Sequence, residues 1–541
     1  MHPEPQQESH SGWAPLRRPL FRYRWIASLV SNLGSWMQDT AGTWLMTALT
    51  TSPFLIALMQ TAASLPVLFL GLPAGATADM FDRRRLLIFW QAWMLATVAI
   101  LSALTMFGVI SPATLLVLTF LLNIGSAMNN PAWQAIVPEL VPRPELPDAI
   151  ALNSAGFNLA RAVGPALGGL TVAAFSTPAV GAAVVFLLNS ASFLAVIFVL
   201  YAWKRTPLFK SALPSERMFG SMRSGVRYVR HSPPMRAILL RAFLFTGFAS
   251  AVWALLAVVA QQDLQTGAMG YGVLNGCLGA GAVMGAALLP QVRRTLPAEW
   301  MLAGTGLVFS GTLASLALTR SVPLIVVGLV AAGCAWTTTT STLNIAVQTS
   351  VPDWVQARAL GTYQMVFAGG MAGGSALWGL IAEHFSNQIA LLAAATGMLI
   401  AVPIARRFPL LRGKPPDLSP YQLAHAQPET VLQPEPEQGP VLIMIEYRIR
   451  LTEKSDFTRA MHEARGIRMR DGAIRWGVFQ DTAQPERFVE TFVMESWLEF
   501  LRARERMTAD DRLIRDRVRS FHQGAEEPHV SRMIYARETG A

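Results

Sequence analysis

The sequence predicts an all-α polytopic membrane protein of twelve transmembrane helices, followed by a C-terminal α+β domain of ferredoxin-like order. Three observations predict it. Apolar stretches long enough to cross a bilayer recur from residue 24 to 405, the Lys and Arg between them alternate by side, and the character changes after Arg407. A hydrocarbon core about 30 Å thick takes about 20 apolar residues per helix. The predicted spans are 24–48, 54–77, 86–108, 113–135, 149–174, 179–202, 237–262, 270–290, 299–319, 323–347, 358–383 and 388–405.

The connections assign the sides. Arg17, Arg18, Arg22 and Arg24 precede the first span, and Arg83, Arg84 and Arg85 fill the second connection. The sixth carries Lys204, Arg205, Lys210, Arg217, Arg223, Arg227, Arg230 and Arg236, the eighth Arg293 and Arg294, and Arg406, Arg407, Arg412 and Lys414 follow the last span. Among the odd-numbered connections only Arg320 is basic. Basic residues collect in cytoplasmic loops, so both termini and the long sixth loop are expected in the cytoplasm. The chain is 52% hydrophobic and 14% charged, outside the composition of soluble domains. The net charge of +10 follows from this topology and implies no nucleic-acid partner. Cys277 and Cys334 lie inside spans, so neither a disulfide framework nor a metal site is expected. No cleavable signal peptide and no cofactor site are expected either.

The spans repeat. Val141-Pro142 meets Val351-Pro352 at an offset of 210 (351 − 141), and the same offset pairs Phe157 with Phe367, Gly164 with Gly374, Gly169-Leu170 with Gly379-Leu380, and Arg83-Arg84 with Arg293-Arg294. Such a parallel repeat builds the 6+6 major facilitator fold. The domains are then a cytoplasmic arm (1–23), a first six-helix half (24–202), a central loop (203–236), a second half (237–407), a Pro-rich linker (408–440) and a cytoplasmic domain (441–541). In that last region VLIMIEYRIRL, AIRWGVFQD, RFVETFVME and HVSRMIYA read as strands. Lys454–Arg470 and Trp497–Phe521 read as helices, the second broken near Thr508, giving the order βαββαβ.

Ionisable groups inside a bilayer are functional candidates because burying them there is costly. Asp39 lies ~22 Å of helix into the first span, and Arg161 ~18 Å into the fifth. Asp39 beside Asn32, Trp36 and Gln38 suggests a cavity-facing carboxylate that carries a proton; a position in water at the outer interface is the other reading. Arg161, with Asn158 on its helix, suggests a hold on an anionic substrate; a structural partner for Asp39 or for helix-end carbonyls is the other. Trp36, Trp44, Trp253 and Trp336 are read as packing or interface anchors before substrate stacking. Most amides inside spans, Gln60, Asn275 and Gln364 among them, are read as interhelical hydrogen bonds.

The run from Gly75 to Arg85, GATADMFDRRR, resembles the loop signature of the major facilitator superfamily, with Met80 and Asp82 departing from it. The resemblance implies a gating role for Gly75, Asp79, Arg83 and Arg84. FNLARAVGPALGG resembles the glycine-proline motif of drug:proton antiporters, and implies that Gly164, Pro165, Gly168 and Gly169 shape the conformational path; helix packing alone is the plainer reading. The second half has Ser375 and Trp378 where the first has Pro165 and Gly168. The wider run NNPAWQAIVPELVPRPELPDAIALNSAGFNLARAVGPALGG, with GSWMQDTAGTWLM and DMFDRRRLL, resembles the transmembrane secretion effector family that includes enterobactin exporters. The tail resembles the dimeric α/β barrels of the antibiotic biosynthesis monooxygenase group. There Trp476, His462 and His522 are the residues suggestive of chemistry, in no catalytic arrangement, so a sensing or dimerising role is expected rather than an enzyme.

These resemblances imply a secondary transporter of the bacterial inner membrane. Its expected partners are a small-molecule substrate such as a siderophore or drug, protons and the lipid bilayer, with a homodimer through the tail. Proton-coupled export by alternating access is the first expectation. Uptake by symport, or a bifunctional protein with a sensor or monooxygenase-like tail, is the alternative.

Overall fold

The computed structural model describes residues 13–203, 218–410, 417–418, 434–524 and 526–536. The expectations on Lys204, Arg205, Lys210 and Arg217, on most of the linker and on the start of the N-terminal arm lie outside the described residues.

The first half comprises α1 (Pro19–Leu49), α2 (Pro53–Met80), α3 (Arg83–Met106), α4 (Pro112–Ala135), the single turn α5 (Val137–Leu140), α6 (Leu146–Ala173) and α7 (Pro178–Ala202). After α8 (Met218–His231) come α9 (Pro233–Val258), α10 (Gly267–Thr295), α11 (Ala298–Leu318), α12 (Val322–Ser350), α13 (Asp353–His384) and α14 (Asn387–Arg406). Helix starts follow from local chemistry. Ser52, Ser111 and Thr177 cap α2, α4 and α7 with their side chains, each followed by Pro at the first helical position, where the missing N–H costs nothing. Asp82 caps α3 through Arg85 N–H, which gives that departure from the loop signature a local role.

Ten of these helices are long and apolar enough to cross a membrane. The two predicted spans that fall short in apolarity are α1 and α6, the helices carrying Asp39 and Arg161. Their length is ample, 31 and 28 residues; polar residues lower their hydropathy.

The repeat seen in the sequence recurs in the packing. A Cβ on Gly164 of α6 would lie 2.5 Å from Trp36 on α1, and one on its counterpart Gly374 of α13 would lie 2.3 Å from the Gly247 carbonyl on α9. Gly169 meets the start of α10 at Ala268 and Gly272, while its counterpart Gly379 meets the start of α2 at Phe54 and Ala57. The asymmetry is also structural. Gly168 lies against the Met37 backbone of α1, whereas Trp378 donates its indole N–H to the Gly247 carbonyl at 2.7 Å.

The chain divides into two compact units. The first holds 1–214, 239–343 and 363–408; the second joins 215–238 and 344–362 to 409–541. In the second unit, β1 (Val441–Arg448), α15 (Lys454–Asp471), β2 (Ala473–Gln480), β3 (Arg487–Met494), α16 (Trp497–Glu505), α17 (Ala509–Ser520) and β4 (His529–Ile534) realise the βαββαβ order. The sheet runs β2-β3-β1-β4 with antiparallel neighbours. Phe488, Glu490, Phe492 and Met494 alternate inward, as a half-covered strand requires. The helix break falls at Thr508, whose hydroxyl and Asp511 form a capping box.

The α+β domain is fastened to the other members of its unit. Arg223 of α8 pairs with Glu495, and Arg227 reaches Glu499 at 3.5 Å. Tyr228 is buried edge-on to Trp354 of α13, ring centres 5.7 Å apart. Arg470 covers Tyr228 from 5.5 Å and Arg506 covers Trp354 from 4.4 Å.

Candidate functional site

A cavity of about 390 Å³ lies within the first unit, lined by α1, α2, α3, α4, α6 and α7 from one half and α9, α10, α12 and α13 from the other. Trp36, Gln38 and Asp39 come from α1 and Arg161 from α6, so four of the expected residues meet there. The close approach of α6 to α1 at Gly164 and Gly168 brings these two polar stretches side by side.

Asp39 is exposed to this space. Its main-chain carbonyl accepts from Thr43 at 2.8 Å, and among the described residues its carboxylate has neither a hydrogen-bond donor nor a cation within ion-pair distance. Arg161 lines the cavity and lays its guanidinium 5.7 Å from the centre of the Trp36 ring, a cation–π contact. Gln38 accepts from Asn189 Nδ2 at 2.6 Å, joining α1 to α7 at the cavity edge. The site therefore holds one carboxylate and one guanidinium, each without an ion-pair partner among the described residues and each needing one in low dielectric.

Asn32 and Asn158 are not among the lining residues. Asn32 bonds back to Ser28 at 3.5 Å and Asn158 to the Ser154 carbonyl at 2.9 Å, so each amide is spent on its own helix. In the loop signature, a Cβ on Gly75 would meet nothing within 4 Å, and Arg84 binds the Leu200 and Tyr201 carbonyls at 2.8 and 2.7 Å, closing the C-terminus of α7. The Asp79 side chain lies outside the described residues, and Arg83 carries contacts of its own.

Of the rest of the wall, the sequence reading expects Asn275, Trp253 and Trp336 as hydrogen-bonding or packing residues, and Tyr271 and Phe186 carry no expectation. Tyr271 and Asn275 of α10 stand one turn apart and both face the cavity; Asn275 also reaches Thr40 at 3.3 Å. Their i, i+4 spacing within the glycine-rich run GYGVLNG was the available signal. Phe157, Phe186, Trp253, Trp336 and Phe367 supply aromatic walls, with Trp253 and Trp336 centred 4.4 Å apart. Gln60 and Gln364, expected as interhelical bonds, also line the space. Trp44 instead stacks on Tyr271 at 5.8 Å.

In the α+β domain, Glu490 is buried and accepts from Trp476 Nε1 at 3.0 Å and from Arg468 Nε at 3.1 Å. His522 Nδ1 accepts from the Arg448 N–H at 3.0 Å, and the His462 ring lies 5.6 Å from Trp476. The space beside Glu490 measures about 20 Å³, room for about one water.

The transmembrane secretion effector family matches residues 10–539, tail included. The uncharacterized MFS-type transporter YfiS of Bacillus subtilis is 27% identical over 404 residues, 70% of this chain and 91% of its own. The multidrug efflux pump Tap of Mycolicibacterium fortuitum is 23% identical over 398 residues, 72% of this chain and 95% of its own. The staphyloferrin A transporter of Staphylococcus aureus is 28% identical over 158 residues, 29% of this chain and 40% of its own. A bacterial homologue of the lysosomal transporter Spinster, solved inward-facing and occupied, shares the fold with a TM-score of 0.59 at 13% identity, covering 73% of this chain and 98% of that one. The fold is shared with that solved transporter, and by the family match over nearly its whole length the chain belongs to the transmembrane secretion effector family of major facilitator transporters.

Proposed function

We propose that this transporter is a proton-coupled exporter of a small amphipathic molecule, a siderophore or a drug, in the inner membrane of a bacterium with both termini in the cytoplasm. The observation that carries it is the pairing of unpartnered Asp39 and Arg161 in one aromatic-walled cavity between the halves. Asp39 would take up and release the coupling proton. Arg161 would hold an anionic group of the substrate, and the Trp and Phe walls its apolar part. Alternating access would carry this cavity from one side to the other. The staphyloferrin A transporter and the efflux pump among the relatives support the substrate class.

Uptake by symport would use the same cavity, so direction needs its own measurement. In inverted vesicles with an imposed pH gradient, an anionic catecholate siderophore should accumulate on the side of higher proton concentration. Asp39→Asn should insert normally and abolish this accumulation. Accumulation equal to wild type would remove Asp39 from coupling, and movement with the proton gradient would favour symport.

A further inference from the structure

We propose that Glu383 is the latch that closes the transporter at the end opposite the arginine-bearing connections, by holding the start of α2 across the two halves. This rests on the alternating-access reading. Glu383 ends α13. Its Oε2 accepts from Ser52 Oγ at 2.8 Å and from the Phe54 N–H at 3.4 Å. Ser52 is the cap of α2, its hydroxyl oxygen also accepting from Leu55 N–H at 3.2 Å. One carboxylate of the second half thus completes the hydrogen bonding of a first-half helix start. The uncompensated N–H groups there, and their partial positive charge, favour an anion.

The surrounding contacts are neutral. Gln261 donates to the Thr47 carbonyl at 2.9 Å, Gln262 to that of Thr51 at 3.5 Å, and Asn387 to Gln262 at 3.1 Å. Asp263 also lies at this end but pairs with Arg320 within its own half. Beside the latch, Gly379 lets α13 reach α2, since a Cβ there would lie 2.4 Å from that of Ala57. The second copy of this seam, Gly169 against α10, carries no equivalent acid: the residue 210 before Glu383 is Ala173. The carboxylate is therefore an addition to one seam and not a requirement of the repeat. Opening this end separates Ser52 from Glu383, so the bond acts only on the closed state and shifts the equilibrium between states.

The test reads the shift without substrate. In full-length protein with Cys277→Ser and Cys334→Ser, a reporter is placed in the cavity as Ser64→Cys. Its reaction with a membrane-impermeant maleimide is timed in right-side-out and inverted vesicles. Glu383→Gln should speed labelling from the latch side roughly three- to tenfold, the strength of one charge-assisted hydrogen bond, and slow it from the other. Ser52→Ala should move both rates the same way, and the double variant little further. Reciprocal change distinguishes a latch from general loosening, which would speed both. Unchanged rates in both single variants, or a rise from both sides, would overturn the proposal. Equal labelling from both sides in the parent protein would instead overturn alternating access.

Discussion

The Arg506 guanidinium lies 4.4 Å from the centre of the Trp354 ring, joining a C-terminal domain helix end to the start of a membrane helix. Arg506 is 5% exposed and also donates to the Asp471 carbonyl at 2.9 Å and to Glu499 at 3.0 Å. Burial of Arg506 makes the contact expensive to break, because a desolvated guanidinium needs its acceptors and its ring. Trp354→Ala should therefore loosen the attachment of the domain while leaving its sheet intact. Amide exchange across α8 and α16 should quicken by roughly three- to tenfold, since the half-buried Trp354 loses its ring contacts with Tyr228 and Arg506 but less than the ~3 kcal/mol of a fully buried Trp. The β1 and β3 amides should keep their protection.

The same attachment should respond to acid. Burial by itself would raise the Glu499 carboxyl, but Arg506, Arg227 and Arg502 outweigh it and hold the group below its ordinary value of 4.5. A carboxyl lowered on folding stabilises fully above its unfolded pKa, and that stabilisation is lost as pH falls through the folded value. Exchange in α8, corrected for its intrinsic pH dependence, should quicken once pH drops below the ordinary glutamate value. Glu499→Gln should be loose at neutral pH and lack this acid step.

The glycines divide into two kinds. A Cβ on Gly168 would sit 2.7 Å from the Met37 carbonyl oxygen and 2.9 Å from its Cα, whereas one on Gly75 would meet nothing within 4 Å. Gly168→Ala should lower thermal stability in detergent by about 1–3 kcal/mol, the usual cost of overpacking. Gly75→Ala should stay within about 0.5 kcal/mol of the parent. If Gly75→Ala nonetheless slows transport, its role lies in motion and not in folding.

Much of this architecture was legible because it rests on local or periodic chemistry. Ten of the twelve expected spans follow from length and apolarity, and the break at Thr508 from a capping residue three before Asp511. Asp39 and Arg161 stood out because charges are rare at their depth. Other features depend on partners far away in sequence. Arg223 and Arg227 read as topology markers, yet they meet Glu495 and Glu499, each 272 positions away. Asn32 and Asn158 looked equivalent to Gln38 by composition, yet neither lines the cavity; Asn32 shares the Asp39 face of α1 but lies about two turns away along the helix. Trp253 and Trp336 read as packing rather than as cavity wall, because periodicity alone does not tell a cavity from a core.

That α1 and α6 are the two helices short of membrane-like apolarity bears on how the protein is made. α1 leaves the ribosome before α6 and α7, carrying Gln38 and Asp39 without those neighbours to shield them from lipid. Its shelter is α6, against Gly164 and Gly168, and α7, through Asn189. A stretch this polar gains little from entering lipid alone. Stable integration of the opening helix therefore waits on later synthesis, so biogenesis of the first half is cooperative across all six helices and not a series of independent insertions.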